Sequence, residues 1–496
     1  MSTEEKAHLA AFAFPFGSHP TALFHLVQRL AAACPQVHFS YFNIESSNKK
    51  VLSRLDTTHS NIKIYHVDDG VPEGHVSSGN PMEFIEFFIK ATPANFSKRL
   101  EQVEKEMGTK ATCLLSDAFL WFSGDMAQER GIPWLAYWAA GPSSISLHLY
   151  IHGIRAKLGN DDGQIQNLDQ TLDFIPGMSA IRASDLPVEI LQINGLFSHM
   201  LYNMSDTINR AYVVLNSFDG VDSVVECDLK SKLKRLLNIG PFPLPKALKC
   251  TEDQSGCLSW LSHQDAASVA YISFGTILTP PQPELVALAE ALEEKQVPYL
   301  WSFADNSKRI LIQGFFERTG RIGKLVEWAP QTEVLSHPSV GVFVTHCGWN
   351  STLESILGGV PMICMPFFAD QMINRRLMEN VWRIGVGVQG DFSKSGMVEA
   401  LDLVLWKDEG NKMRENIGRL KERAYMAVAE KGSSTEDFKS LTTKAKDIAS
   451  QHHEHLAYPR AHSSLDCSDR VRHPLTAWMI LPHPDSEDAS GSHHQR

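Results

Sequence analysis

The sequence predicts an α/β protein made of two doubly wound halves facing one another across a cleft. Two features carry that prediction. Apolar runs of strand length alternate with segments of helical periodicity, and the alternation halts at a proline-dense stretch before residue 256 and then begins again. A chain of 496 residues has room for two such domains, each large enough to close its own core.

The first half opens with an apolar run over 8–14. The loop Pro15-Phe16-Gly17-Ser18-His19-Pro20 comes next, and then Leu23, Leu26, Val27 and Leu30 at helical spacing. The rhythm repeats with strands over 37–43, 112–115 and 134–138 and helices over 81–107 and 118–130. Strands that are apolar on both faces belong to a mostly parallel sheet covered by helices on either side. Residues 238–256, beginning Asn238-Ile-Gly-Pro-Phe-Pro-Leu-Pro-Lys246, are aperiodic and proline-rich, the composition of a linker. Beyond them strands are predicted over 268–274, 299–303, 340–345 and 362–365, with helices over 283–295, 349–357 and 370–382. Such sheets bind ligands at the carboxyl ends of their strands, so the cleft is where nucleotide chemistry is expected. Residues 451–496 are rich in His, Pro, Ser and Asp and lack periodicity. They are expected to form a disordered tail in which His452, His453 and His455 are solvated, not metal ligands.

Forty-six basic against fifty-seven acidic residues give a formal charge of -11, which argues against a nucleic-acid partner, since that affinity rests on clustered cations. Eight scattered cysteines make no CxxC pair, so neither a zinc site nor a redox couple is expected, and reduced thiols in the cytoplasm are the simplest account. The start, Met1-Ser-Thr-Glu-Glu5, is acidic where a secretory signal is basic. An uncharged stretch over 131–154 is interrupted by Pro133, Gly141 and Pro142, and no membrane span is expected there. A monomer is the default expectation.

No GxxxxGK[ST] loop occurs, which excludes a P-loop nucleotidase. Gly385, Gly387 and Gly390 spell GxGxxG, but the pattern follows a helix instead of linking a strand to one. It reads as a glycine-bearing strand and turn, and a nicotinamide oxidoreductase lacks its fingerprint. The informative stretch begins Trp328-Ala-Pro-Gln331, continues His346-Cys-Gly-Trp-Asn-Ser351-Thr-Leu-Glu354 and closes Pro366-Phe-Phe-Ala-Asp370-Gln371-Met-Ile-Asn374. A buried strand ends at Thr345-His346 and a helix opens near Trp349 with its free N–H groups toward the cleft, an anion site to which His346, Asn350 and Ser351 can add donors. Glu354, one turn beyond Asn350, can accept from ribose hydroxyls. Taken singly, the same residues also read as a capping box over 351–354 and a satisfied core histidine.

As a whole, this stretch resembles the plant secondary-product glycosyltransferase signature over its full length. The resemblance implies the GT-B fold, two doubly wound Rossmann-like domains, and an inverting UDP-dependent hexosyltransferase whose C-terminal half holds the nucleotide. It implies that Trp328 stacks on uracil, that Ala329 and Gln331 lie beside the base and that Glu354 holds the ribose. His346, Trp349, Asn350 and Ser351 would surround the diphosphate with Thr276, while Asp370 and Gln371 bind sugar hydroxyls. A glutamine at the place of Gln371 goes with glucose donors more often than galactose.

The loop Phe14-Pro-Phe-Gly-Ser18-His19 resembles the family's catalytic histidine loop, and Ser116-Asp117-Ala-Phe-Leu-Trp121 its partner-aspartate segment. What this implies is that neutral His19 takes the proton of an acceptor hydroxyl as it attacks the anomeric carbon, with Asp117 orienting the ring and stabilising its cation. Retention of both residues argues against a binding protein that has only kept the fold. No metal and no cofactor is implied; UDP-glucose is a co-substrate. The resemblance extends over about 8–450 and is nearest to flavonoid 3-O-glucosyltransferases, through 138–142, 174–178, 238–242 and 432–438. It implies a small phenolic acceptor met by Ser18 and His148, with Phe16, Phe119, Trp138 and Met178 suited to a flat ring system. A different sugar, or another phenolic or terpenoid acceptor, is the alternative. Ala139 stands where close relatives carry a threonine that reaches the donor sugar. Met82 and Pro187 stand where some carry glutamines against the flavonoid. The domain division implied is 1–240 for the acceptor, 241–256 as linker, 257–433 for UDP-sugar, and 434–450 as a helix returning to the first domain.

Overall fold

Among the described residues thirteen strands form two sheets, and every strand pairs in parallel with its neighbours. The computed structural model describes residues 7–53, 59–77, 81–159, 167–191, 195–242, 253, 255–275, 280–303, 313–388 and 392–450. Most of the expected linker, all of the expected tail, Thr276 and Gly390 lie outside them.

The first sheet comprises β1 (His8–Phe12), β2 (His38–Ile44), β3 (Ile62–Val67), β4 (Cys113–Asp117), β5 (Trp134–Trp138), β6 (Tyr212–Leu215) and β7 (Arg235–Asn238), in the order 3-2-1-4-5-6-7. The second comprises β8 (Val269–Ser273), β9 (Tyr299–Ser302), β10 (Gly323–Val326), β11 (Val340–Thr345), β12 (Met362–Cys364) and β13 (Gly385–Gly387), ordered 10-9-8-11-12-13. Each sheet therefore reverses its winding once, between β1 and β4 and between β8 and β11. Such reversals open a crevice where ligands bind.

Both faces of each sheet are buried, as uninterrupted apolar strands require. In β1, Leu9 and Ala11 pack with Leu23, Val27 and Tyr41 on one side, while Ala10 and Phe12 pack with Phe42, Phe96 and Leu114 on the other. β8 divides in the same way, Ala270 and Ile272 against Tyr271. The one polar residue of β1, His8, is buried against the Ser40 hydroxyl at 2.7 Å, and burial pushes its imidazole down to about 4.

Two stretches depart from expectation. β4 runs on to Asp117 and the following helix begins only at Phe122, because the Asp117 carboxylate accepts the Phe119 N–H at 3.0 Å and turns the chain there. The expected helix 370–382 is a short α-helix, Gln371–Arg376, continued by a π-helical turn, Leu377–Val381. Cys34, Cys113, Cys257, Cys347 and Cys364 are buried thiols that form no disulfide with one another.

The last described helix, Ser433–Ser450, lies on the first sheet's lobe. Leu441 and Ala445 enter its core, the Asp437 carboxylate accepts the Asn238 N–H at 2.9 Å, and the Arg29 guanidinium lies 4.5 Å from the Phe438 ring and 4.7 Å from that of Phe242.

Candidate active site

Both winding reversals open onto one cavity of about 410 Å³ lined by residues of both lobes. On the first lobe, a turn with Gly17 at φ +63° ends β1's loop and starts the helix His19–Ala33, with Pro20 fitting its first turn. Phe12 is register partner of Ser116, so the loop after β1 and the end of β4 lie side by side. His19 Nδ1 and Asp117 Oδ2 are 2.7 Å apart. Asp117 is buried, whereas the His19 side chain keeps 24% of its surface. With Nδ1 engaged, Nε2 is the nitrogen left for a ligand. Phe14 and Phe119 pack beside the ring, centroids 5.3 and 5.0 Å away. Burial works against the imidazolium, but the charge and hydrogen bond of Asp117, with the charge of Asp370 across the cavity, outweigh it and raise the His19 pKa above its ordinary value.

Across the cavity, the helix Trp349–Gly358 begins after Cys347 at φ +67°, with Gly348 as its N-cap and no side chain capping its N–H groups. The capping-box reading of 351–354 is not what forms. Ser351 sits inside the first turn and its hydroxyl accepts from the Gln331 amide at 3.0 Å. Gly348, Trp349, Asn350 and Ser351 all line the cavity, so backbone donors and the positive end of the helix face it. His346 lines it too, held between Gly275 and Gly348, where a Cβ would come within 3.1 Å and 2.5 Å of its ring. Burial pushes its imidazole down to about 4 against the opposing effect of a hydrogen bond with the Ser273 backbone, so it is neutral. Trp349 differs in one respect from a diphosphate ligand. Its indole N–H is donated to the Asn216 carbonyl of the other lobe at 2.8 Å, which leaves its backbone N–H and ring surface.

Asp370 and Gln371 lie at the start of the next helix. The Gln371 carbonyl oxygen accepts the Phe367 N–H at 2.8 Å, which leaves its amide nitrogen as the outward donor. Burial raises the Asp370 pKa, opposed by a 2.9 Å hydrogen bond from Asn374. The same Asn374 amide donates to the Cys347 carbonyl at 2.9 Å. One buried side chain thus fixes both Asp370 and the strained turn ahead of the helix. His148 lines the cavity from the first lobe. Its Nδ1 lies 2.7 Å from the Ser144 carbonyl and burial pushes it down to about 4, so Nε2 is an acceptor.

Of the other expected residues, Ser18, Phe16, Phe119, Trp138, Met82, Ala139 and Pro187 line the cavity. Met178 does not; it is wholly buried in the first lobe's core. Trp328, Ala329, Gln331 and Glu354 stand outside the cavity wall, but Gln331 links Glu354 to the cavity residue Ser351, donating to both and accepting from the Tyr271 hydroxyl at 3.0 Å. Trp328 is 61% exposed, while Ala329 is buried. Glu354 is pushed up to about 7 by burial, with Gln331 opposing and Glu333 adding to the rise.

Sequence reasoning missed two residues. Asn374 was findable from its place one helical turn after Asp370. Asn216, whose Nδ2 donates to Asn350 Oδ1 at 3.3 Å across 134 positions, left no local signal. Among the described residues no group of three or more His, Cys, Asp or Glu could hold a metal, and no helix is long and apolar enough to cross a membrane.

A fold that sets a histidine–carboxylate pair of one doubly wound lobe against the open helix start of another is that of the GT-B glycosyltransferases. Residues 48–423 match the UDP-glucoronosyl and UDP-glucosyl transferase family, and the chain belongs to it. It is 50% identical over 447 residues to a flavonol 3-O-glucosyltransferase of Actinidia chinensis var. chinensis, covering 89% of this chain and 97% of that one. An anthocyanidin 3-O-galactosyltransferase of the same plant is 46% identical over 446 residues, 88% of this chain and 97% of that one. The crystal structure of a UDP-glucose: anthocyanidin 3-O-glucosyltransferase in complex with UDP superposes with a TM-score of 0.84 at 40% identity, over 90% of this chain and all of that one. The protein is a UDP-glycosyltransferase.

Proposed function

We propose that this enzyme transfers glucose from UDP-glucose to the 3-hydroxyl of a flavonoid, a flavonol or an anthocyanidin, in the cytosol and with inversion at the anomeric carbon. The observation that carries the reading is the 2.7 Å His19–Asp117 pair, in the same cavity as the uncapped start of helix Trp349–Gly358. In the proposed step His19 Nε2 removes the acceptor's hydroxyl proton. That oxygen bonds to the anomeric carbon on one face while the bond to the diphosphate oxygen breaks on the other. The proton rests on His19, where Asp117 stabilises the imidazolium, and an α-linked donor yields a β-glycoside. The negative charge that grows on UDP is met by the helix N–H groups of 349–351, with Asn350, Ser351, the neutral His346 and Thr276.

In this reading the donor lies in the lobe of 257–433, with Trp328, Ala329 and Gln331 at uracil, Glu354 at the ribose and Asp370 and Gln371 at the sugar. The acceptor lies in the lobe of 1–240, beside Ser18 and His148. A second reading, galactose or another hexose as donor, is supported by Ala139, which lines the cavity and offers the sugar no hydroxyl. Incubation with quercetin and, separately, UDP-glucose, UDP-galactose and UDP-rhamnose tests both. UDP release with a mass gain of one hexose, fastest with UDP-glucose and located at the 3-oxygen by NMR, is expected. Product with UDP-galactose alone would establish the second reading, and no product from any flavonoid would overturn both.

A further inference from the structure

The acceptor side of the cavity is walled by Phe16, Met82, Ile85, Pro187, Phe197 and Leu201. One carboxylate stands in this apolar wall. Glu189, in the single turn Val188–Leu191, lines the cavity, is half-buried, and has no ion pair or hydrogen bond among the described residues. The other two carboxylates of the lining are engaged, Asp117 by His19 and Asp370 by Asn374, and the lining contains neither lysine nor arginine. Water can solvate Glu189 while the cavity is open. A flat acceptor that fills the cavity displaces that water, and the charge then loses stabilisation unless the acceptor brings donors of its own.

We infer that Glu189 is a specificity-determining residue: it accepts hydrogen bonds from phenolic hydroxyls other than the one that reacts, so the enzyme selects polyhydroxylated, uncharged or cationic acceptors and rejects anionic ones. The inference rests on the flavonoid reading above. It also gives the wall back a polar contact two residues from Pro187, where some relatives carry glutamine.

Galangin, kaempferol and quercetin carry none, one and two hydroxyls on the pendant ring, so the series grades the donors offered. In the full-length wild type, kcat/KM should favour quercetin over galangin by about tenfold, mainly through KM, as expected when a buried acceptor group is left unmatched. In Glu189→Leu, quercetin should fall and galangin rise until the ratio is near one. In Glu189→Gln, a quercetin bearing a sulfate on the pendant ring should become a several-fold better acceptor than with wild type. A quercetin-to-galangin ratio unchanged in Glu189→Leu overturns the inference. If that variant does not fold, no gain for the sulfated acceptor in Glu189→Gln does the same. A wild type silent on the whole panel overturns the flavonoid reading instead.

Discussion

Arg376 forks over Asp185, its Nε and Nη2 each 2.9 Å from a different carboxylate oxygen. Arg376 ends the helix that starts at Gln371, and Asp185 closes the turn Ala183–Asp185 just before the cavity residue Pro187, so the pair ties the second lobe to the first beside the cavity. Asp185 is buried, and its other partner is the Arg182 N–H at 2.8 Å. Arg376→Leu strands that carboxylate and should destabilise the protein by about 3 kcal/mol, read as a lower urea midpoint. Adding Asp185→Asn should recover part of the loss, because the uncompensated charge is gone.

The His19–Asp117 pair sets a pH signature. A base must be neutral to accept a proton, and the pKa of His19 is raised, so kcat should fall as pH drops through a value above the ordinary histidine pKa. Asp117→Asn removes the main cause of the rise. Its plateau should drop by about 10³- to 10⁴-fold while the acidic limb moves to lower pH. A limb that stays in place would mean another group titrates. His19→Ala should abolish the limb with the activity.

Much of this arrangement was legible in the residues. Runs such as His8–Phe12 and Val340–Thr345, apolar on both faces, marked a parallel sheet, and doubly wound sheets place loops such as 14–19 and 346–351 at a crevice. The short motifs were readable because each lies within one loop and one helix turn. What was not legible is contact between distant segments. Nothing near Trp349 signals that its indole N–H is committed to Asn216, and nothing near Val188–Leu191 says that Glu189, and not Met178, meets the cavity. Those facts follow from how two lobes meet, which no periodicity records.

Asn374 is predicted to be a positioning residue. Its amide holds Asp370 and the Cys347 carbonyl together, each at 2.9 Å, with Cys347 in the left-handed region. Asn374→Ala should raise the KM for UDP-glucose about tenfold while leaving the Kd of UDP, which has no hexose to place, within about twofold. Asp370→Ala should make the two losses non-additive. Equal weakening of UDP and UDP-glucose would point to general disruption of the lobe instead.

Glu354 predicts a proton linked to donor binding. Burial, with the charge of Glu333, holds its carboxyl up at about 7, and Gln331 opposes the shift without cancelling it. Ribose hydroxyls donated to Glu354 would favour its ionised form, so binding should release a proton near neutral pH and affinity should rise from pH 6 to a plateau near 8. The slope below the pKa is bounded by about tenfold per pH unit. His346, pushed down to about 4, is neutral throughout this range and adds no slope of its own. UDP-glucose is the ligand to use, since the terminal phosphate of UDP titrates in the same window. Calorimetry in buffers of different ionisation enthalpy should show proton release for the wild type and less in Glu354→Gln, whose affinity should be weaker and flatter with pH. Equal release in both would remove Glu354 from the ribose.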